Sequence, residues 1–171
     1  MWIAIAALPD LDKRDLSSLV SVGSGGAPLP VEVAKILERR VGMKLKSGWG
    51  MTETCSPGTA HPKEGPDKPG SIGLMLPGVE MDVVSLDDPT KLMPVGEVGE
   101  IVTFGPMVFK GYWRHPEATR AAFVALPGDD SGRMFFRTGD LGRIDEEGYF
   151  FLTDRLKRMI NASGFKIWPA E

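Results

Sequence analysis

The sequence is poor in the side chains that many catalytic chemistries need. It has one cysteine, Cys55, and two histidines, His61 and His115, in 171 residues. A lone cysteine excludes an internal disulfide framework and fits a reducing compartment, so a cytoplasmic location is expected. Neither histidine has partners at zinc-ligand spacing, and no Gly-x-Ser-x-Gly nucleophile turn occurs, which removes zinc-hydrolase and serine-nucleophile chemistry. Cys55 and His61 stand six positions apart with no sign of an activating environment, so a thiol nucleophile is not expected. His115, next to Pro116, reads as a helix-entry residue. Long runs of one charge are also missing. The 20 basic and 23 acidic residues give a formal charge of -3, so neither nucleic acid nor an anionic membrane is expected as the main partner. The apolar opening from Met1 to Leu8 has no basic residues before it and falls well short of the roughly 20 residues of a membrane span. It reads as a buried helix, and no transmembrane segment is expected.

What is present is a series of glycine-framed turns between short apolar segments. Leu19 to Val22 reads as a strand running into Gly23-Ser24-Gly25-Gly26, and Pro28 or Pro30 then suits the start of a helix, where a missing amide proton is tolerated. Val33, Ile36, Leu37 and Val41 recur at helical spacing, with Gly42 placed to close the helix. Met43 to Ser47 is extended and leads to a second turn, Gly48 to Thr54. Between Pro57 and Gly73 four prolines break any regular element, and a subdomain boundary is expected there. Beyond it, Ser71–Leu76, Glu80–Ser85, Gly99–Phe104, Met134–Arg137, Gly142–Ile144 and Tyr149–Leu152 read as strands, with one helix over Pro116–Phe123. The expected fold is therefore α/β followed by a mostly antiparallel, barrel-like β subdomain. It divides into residues 1–60 (partial α/β), 61–72 (linker), 73–153 (β-rich) and 154–171 (a hinge and the start of a further domain).

Four segments carry the candidate chemistry. Gly23 to Pro28 is a turn that lets a ligand approach the backbone, but taken alone it reads more readily as a plain tight turn. Pro28 stands where the dinucleotide fingerprint wants glycine, and no Gly-Lys-Ser or Gly-Lys-Thr phosphate loop occurs. Gly48 to Thr54 sets an aromatic ring, a hydroxyl and a carboxylate in one turn. Trp49 can stack on a base, Thr52 can donate to a phosphate oxygen, and Glu53 can hold Mg²⁺, which takes one or two carboxylates plus phosphate oxygens and water. A core tryptophan beside a helix cap is the other reading. In Phe136 to Gly142, Asp140 is expected in a turn, where a carboxylate can accept both hydroxyls of a ribose or merely bond its own backbone. In Gly148 to Lys166, Arg155 can reach a ribose or phosphate, whereas Lys157, Arg158 and Lys166 read by themselves as the solvated face of a hairpin.

These segments, in this order, resemble the superfamily of adenylate-forming enzymes: acyl-CoA and aryl-CoA synthetases, adenylation domains of peptide synthetases, and beetle luciferases. The likeness extends to Asp15-Leu16-Ser17-Ser18-Leu19, to Gly111-Tyr112-Trp113 with Pro116-Glu117-Ala118-Thr119, and to Trp168-Pro169-Ala170-Glu171. It is greatest to bacterial fatty-acyl-CoA synthetases. The resemblance implies the central part of the large N-terminal domain and an enzyme that activates a carboxylate with MgATP as acyl-adenylate, then passes it to CoA. It implies that Gly25, Gly26 and Ala27 line the adenine and acyl pocket, that Trp49 and Gly50 pack at adenine, that Thr52 contacts phosphate and that Glu53 binds Mg²⁺. Asp140 and Arg155 would hold the ribose, Lys157 would be the hinge, and Gly164 would lie along the CoA arm. ATP or AMP, Mg²⁺ and CoA are thus the expected small molecules, with a fatty acid as the carboxylic acid.

The family's upstream Ser/Thr/Gly-rich phosphate loop with its lysine is absent from this sequence, as is its C-terminal domain. The chain alone is therefore expected not to turn over. An incomplete core makes self-association of the fragment an expectation. A non-catalytic nucleotide-binding module of the same fold, or a peptide-synthetase adenylation domain, stays open beside the acyl-CoA synthetase.

Overall fold

The computed structural model describes residues 1–26, 30–55, 57–66, 68–156, 160–162 and 165–167, the last two ranges as backbone. The first part builds a small α/β unit from α1 (Trp2–Ala6), β1 (Val22–Ser24), α2 (Val31–Val41) and β2 (Leu45–Ser47). β1 and β2 pair in parallel, Val22 opposite Leu45 and Ser24 opposite Ser47, as strands joined by a helical crossover do. α2 has Pro30 at its N-cap, Glu32 in the first turn and Arg39 and Arg40 in the last, and it ends at Gly42 in the left-handed conformation. These charges complement the helix dipole. Leu37 is its buried contact, and Arg40 reaches back to the Ala6 carbonyl and to Asp12.

From Trp49 onward the pairing is antiparallel. β3 (Trp49–Gly50), β4 (Pro57–Ala60), β5 (Ser71–Met75), β6 (Glu80–Val84), β7 (Gly99–Phe104), β8 (Phe123–Val124), β9 (Phe135–Ile144) and β10 (Phe150–Arg155) form one sheet. α3 (Pro116–Ala121) lies before β8. The strand order is β3-β4-β5-β10-β9-β7-β6, with β8 added on β9. A separate hairpin pairs β11 (Ile160–Ala162) with β12 (Phe165–Ile167). Side chains alternate across a strand, and β7 is buried on both faces. Ile101 joins Trp49, Ile72, Met81, Val83 and Phe150 in one core cluster, while Val102 joins Val84, Val124 and Phe135 in another.

Several expectations change against this frame. The sheet ends on β3 and β6 without joining them, so no closed barrel forms among the described residues. The opening helix is short and has no buried residue; Ile3 is 63% exposed. Gly23 and Ser24 belong to β1, whereas Leu19 and Val20 are exposed outside it. The proline-rich segment carries β4, whose Pro57 stands at the first strand position, where a missing N–H is tolerated. β4 pairs with β5, Thr59 opposite Met75, and so joins residues on either side of the segment 61–72. The two expected strands around Asp140 are one continuous strand, β9. Asp154 and Arg155 complete β10.

Candidate functional site

The two glycine-framed segments meet in one cleft of about 1390 Å³, whose lining includes Ser24, Gly25, Gly26, Trp49, Gly50 and Thr52. The parallel pairing of β1 and β2 brings the first turn beside the second: the Gly48 N–H donates to the Ser24 carbonyl at 3.0 Å. Lys46 also borders the cleft, but its ammonium is spent on the carbonyls of Pro62 and Lys63. Ala27, Lys157 and Gly164 lie outside the described residues.

Asp140 sits in a bulge of β9 and not in a turn. Glu100 pairs with Leu141 and Val102 with Arg137, so a step of two residues on β7 spans a step of four on β9. The excess is taken up at Thr138-Gly139-Asp140. Thr138 donates its hydroxyl to the Ile101 carbonyl and accepts the Asp140 N–H, and Gly139 turns at φ 69°. That conformation is cheap only for glycine. Glycine followed by a charged residue reads in sequence as a turn, so the sequence alone ends a strand here. The bulge drives the Asp140 carboxylate out of the β7 ladder and into the interior.

There Asp140 is 2% exposed. Its Oδ2 accepts the indole N–H of Trp49 at 2.8 Å, and Arg155 Nε stands 2.7 Å from its Oδ1. Arg155 is placed by register, opposite Asp140 on β10. Trp49 and Arg155, both expected as site members, thus each contact Asp140, one on each carboxylate oxygen. Trp49 is 5% exposed within the apolar core, so the core-tryptophan reading describes its packing. The residue lines the cleft at the same time.

Thr52 and Glu53 begin a 3-10 turn, Thr52–Thr54, tied by a Thr54 hydroxyl that bonds both the N–H and the carbonyl of Met51. Thr52 is exposed and borders the cleft. The Glu53 carboxylate accepts the Tyr112 hydroxyl at 3.1 Å, and its backbone carbonyl accepts the Phe109 N–H at 2.8 Å. Burial first, then the Glu53 charge, pushes the Tyr112 phenol up from its ordinary value, so at neutral pH it stays a donor. Among the described residues no cluster of three or more His, Cys, Asp or Glu gathers that could hold a metal on protein ligands alone. Thr52 borders the cleft and Glu53, next in sequence, does not line it; one carboxylate beside an exposed hydroxyl fits Mg²⁺, which draws most of its shell from phosphate and water.

Two functional partners were not read from the sequence. In the sequence Tyr112 stands out only within the motif Gly111-Tyr112-Trp113. Glu100, 2% exposed, holds the Asp140 bulge by accepting the Gly139 N–H while pairing with Arg137. Its signal was a glutamate in the otherwise apolar run Gly99 to Phe104. His61 and Cys55 take no catalytic arrangement: the His61 ring meets the Ser71 carbonyl, and Cys55 is exposed. Among the described residues no helix is long and apolar enough to cross a membrane.

Comparison with known proteins accords with this geometry. A family described as AMP-binding enzyme matches residues 1–113. The chain is 43% identical over 162 residues to a luciferin 4-monooxygenase of Nipponoluciola cruciata, covering 94% of this chain and 28% of that protein. It is 40% identical over 171 residues to a long-chain-fatty-acid–CoA ligase of Bacillus subtilis, covering 100% of this chain and 29% of the relative. Among solved structures it resembles ATP-bound MatB from Rhodopseudomonas palustris at TM-score 0.87 and 37% identity, over 99% of this chain and 32% of that one. The chain thus spans less than a third of the length of these relatives.

Proposed function

The chain belongs to the AMP-binding family of adenylate-forming enzymes, and from there we propose that its cleft is the nucleotide site of an ATP-dependent acyl-CoA synthetase. The enzyme to which it contributes joins a carboxylic acid to AMP with release of pyrophosphate, then transfers the acyl group to the thiol of CoA. The single observation that carries this reading is that Trp49, which lines the glycine-rich cleft, is bonded to Asp140 and through it linked to Arg155, although neither of those two lines the cleft itself. A ring, a carboxylate and a guanidinium linked in this way offer groups for the base, sugar and phosphate of a nucleotide.

The chemical demand is charge management, since an anionic carboxylate must approach an anionic phosphate. Gly25, Gly26 and Gly50 leave room for the nucleotide against backbone. Thr52 donates to phosphate, and Glu53, steadied by Tyr112, would hold Mg²⁺. When bound, Mg²⁺ offsets charge on the phosphate oxygens. Asp140 accepts ribose hydroxyls and Arg155 covers the sugar from the solvent side. Ala27 at the acyl pocket, Lys157 as hinge and Gly164 on the CoA arm complete the assignment.

A long-chain fatty acid is our substrate assignment. It is supported by the Bacillus subtilis ligase, while a feruloyl-CoA synthase of Amycolatopsis, 43% identical and likewise matched along the whole chain, marks aromatic acids as the rival class. Calorimetric titration with two non-hydrolysable acyl-adenylate analogues, one fatty acyl and one aromatic, separates these. Tighter binding of the fatty analogue is expected, and equal or tighter binding of the aromatic one overturns the assignment. We further assign self-association to the chain, supported by exposure of Met1, Ile3 and Val20. Sedimentation that shows only monomer at high concentration overturns it.

A further inference from the structure

Both oxygens of Asp140 are engaged, and the two partners differ in kind. Arg155 approaches from solvent, with a side chain 59% exposed. Trp49 approaches from the core, where it is 5% exposed and packed with Ile72, Met81 and Phe150. Its ring fills a slot that exists because residue 58 is glycine. A Cβ there would stand 2.6 Å from the indole Cζ3. The Trp49 backbone is fixed as well, its N–H donating to the Thr59 hydroxyl, which donates in turn to the Ile72 carbonyl. The indole N–H is a donor to a charged acceptor away from water, and such bonds are the stronger ones. A carboxylate has about four lone-pair sites, so one contact on each oxygen leaves acceptor capacity unspent.

We infer that Trp49 is the positioning residue for the Asp140 carboxylate, its buried indole N–H fixing the orientation in which Asp140 receives the vicinal hydroxyls of a ribose. This rests on the reading of the cleft as a nucleotide site. It gives Trp49 a task distinct from packing on a base. The indole acts through Asp140 and selects for the sugar, and Arg155 closes over the same carboxylate from the exposed side. Preorganisation of this sort raises affinity by removing an ordering cost at binding.

The test has two arms. In the first, on the ligand-free chain, the indole N–H resonance of Trp49 is identified among the four tryptophans by its loss in Trp49→Phe. It is expected to move upfield in Asp140→Asn, where the acceptor loses its charge. An indole resonance indifferent to Asp140→Asn overturns the inference. In the second arm, calorimetry compares AMP with 2′,3′-dideoxy-AMP. Trp49→Phe trims the ring as well as the N–H, so both affinities can fall, but the preference for AMP over the dideoxy nucleotide is expected to shrink about tenfold. A loss shared equally by both nucleotides is what a purely structural tryptophan gives, and it overturns the inference. If Trp49→Phe does not fold, benzothienylalanine at position 49, which keeps the bicyclic shape and lacks the N–H, serves the same comparison. A folded wild-type chain that binds no AMP contradicts the nucleotide-site reading instead, and the first arm still decides the indole contact.

Discussion

Glu100 and Arg137 form a fork across neighbouring strands: Glu100 Oε2 lies 2.6 Å from Arg137 Nη2 and 3.0 Å from Nε. The other oxygen of Glu100 accepts the Gly139 N–H at 3.1 Å. One carboxylate, 2% exposed, therefore ties the β7–β9 ladder to the bulge from which Asp140 projects. The local order of the candidate site depends on a residue that touches no ligand.

Substituting that residue breaks both ties. Glu100→Ala leaves the Gly139 N–H without its acceptor and the Arg137 guanidinium without its partner. Arg137 keeps some exposure, so water softens the loss, and a destabilisation of about 2–4 kcal/mol is expected. Urea denaturation measures it as a lower midpoint at unchanged slope. A change under about 0.5 kcal/mol, typical of an ordinary surface substitution, contradicts the structural role.

Gly58→Ala tests the slot for Trp49. The added Cβ falls 2.6 Å and 2.9 Å from two ring carbons, so the indole must shift and its bond to Asp140 must lengthen. Overpacking of this kind costs about 1–3 kcal/mol. Thermal unfolding should show a lower Tm, together with a changed Trp fluorescence spectrum. An unaltered Tm and spectrum would mean the ring has room to spare.

Lys68 gives a pH-dependent prediction. Its ammonium meets Asp145 at 3.0 Å and Glu147 at 2.7 Å, which ties the proline-rich segment to the turn between β9 and β10. Burial alone would raise the Asp145 pKa, but Lys68 and the N–H groups of Tyr149 and Glu147 outweigh it and hold the carboxyl below its ordinary value. A carboxyl depressed on folding contributes stability that is present above its unfolded pKa and lost as pH falls through the folded one. Lys68 itself is raised, by Glu147 and then Asp145, and its contribution fades only at strongly alkaline pH. Lys68→Met should therefore lower Tm at pH 7, and the gap to wild type should narrow below about pH 4. A gap that stays constant from pH 7 to pH 3 would show that the ion pairs carry none of it.

The sequence disclosed the α/β start and most of the antiparallel strands because these follow local rules. Helical spacing from Val33 to Val41 and the closing Gly42 locate α2, and the apolar run Gly99 to Phe104 coincides with β7. What local rules hid was long-range. Pro57 suggested irregular chain, yet β4 forms there because β5 supplies its partner. Thr138-Gly139-Asp140 suggested a turn, yet β7 and β10 flank it and hold it as a bulge. The site residues were recognisable by type and by resemblance. The contacts Trp49–Asp140 and Tyr112–Glu53 join positions 91 and 59 residues apart, and no spacing rule reaches that far.

The most direct measurement is calorimetric titration of the 171-residue chain with AMP, and with ATP in the presence and absence of Mg²⁺, for wild type, Asp140→Ala and Glu53→Gln. Saturable binding is expected, weakened about tenfold or more in Asp140→Ala, since hydrogen bonds to a charged group contribute about 1.5–3 kcal/mol. Mg²⁺ should strengthen ATP binding in wild type and do so less in Glu53→Gln. Equal affinity in Asp140→Ala, or no nucleotide binding by a folded chain, would contradict the assignment of this cleft as the nucleotide site.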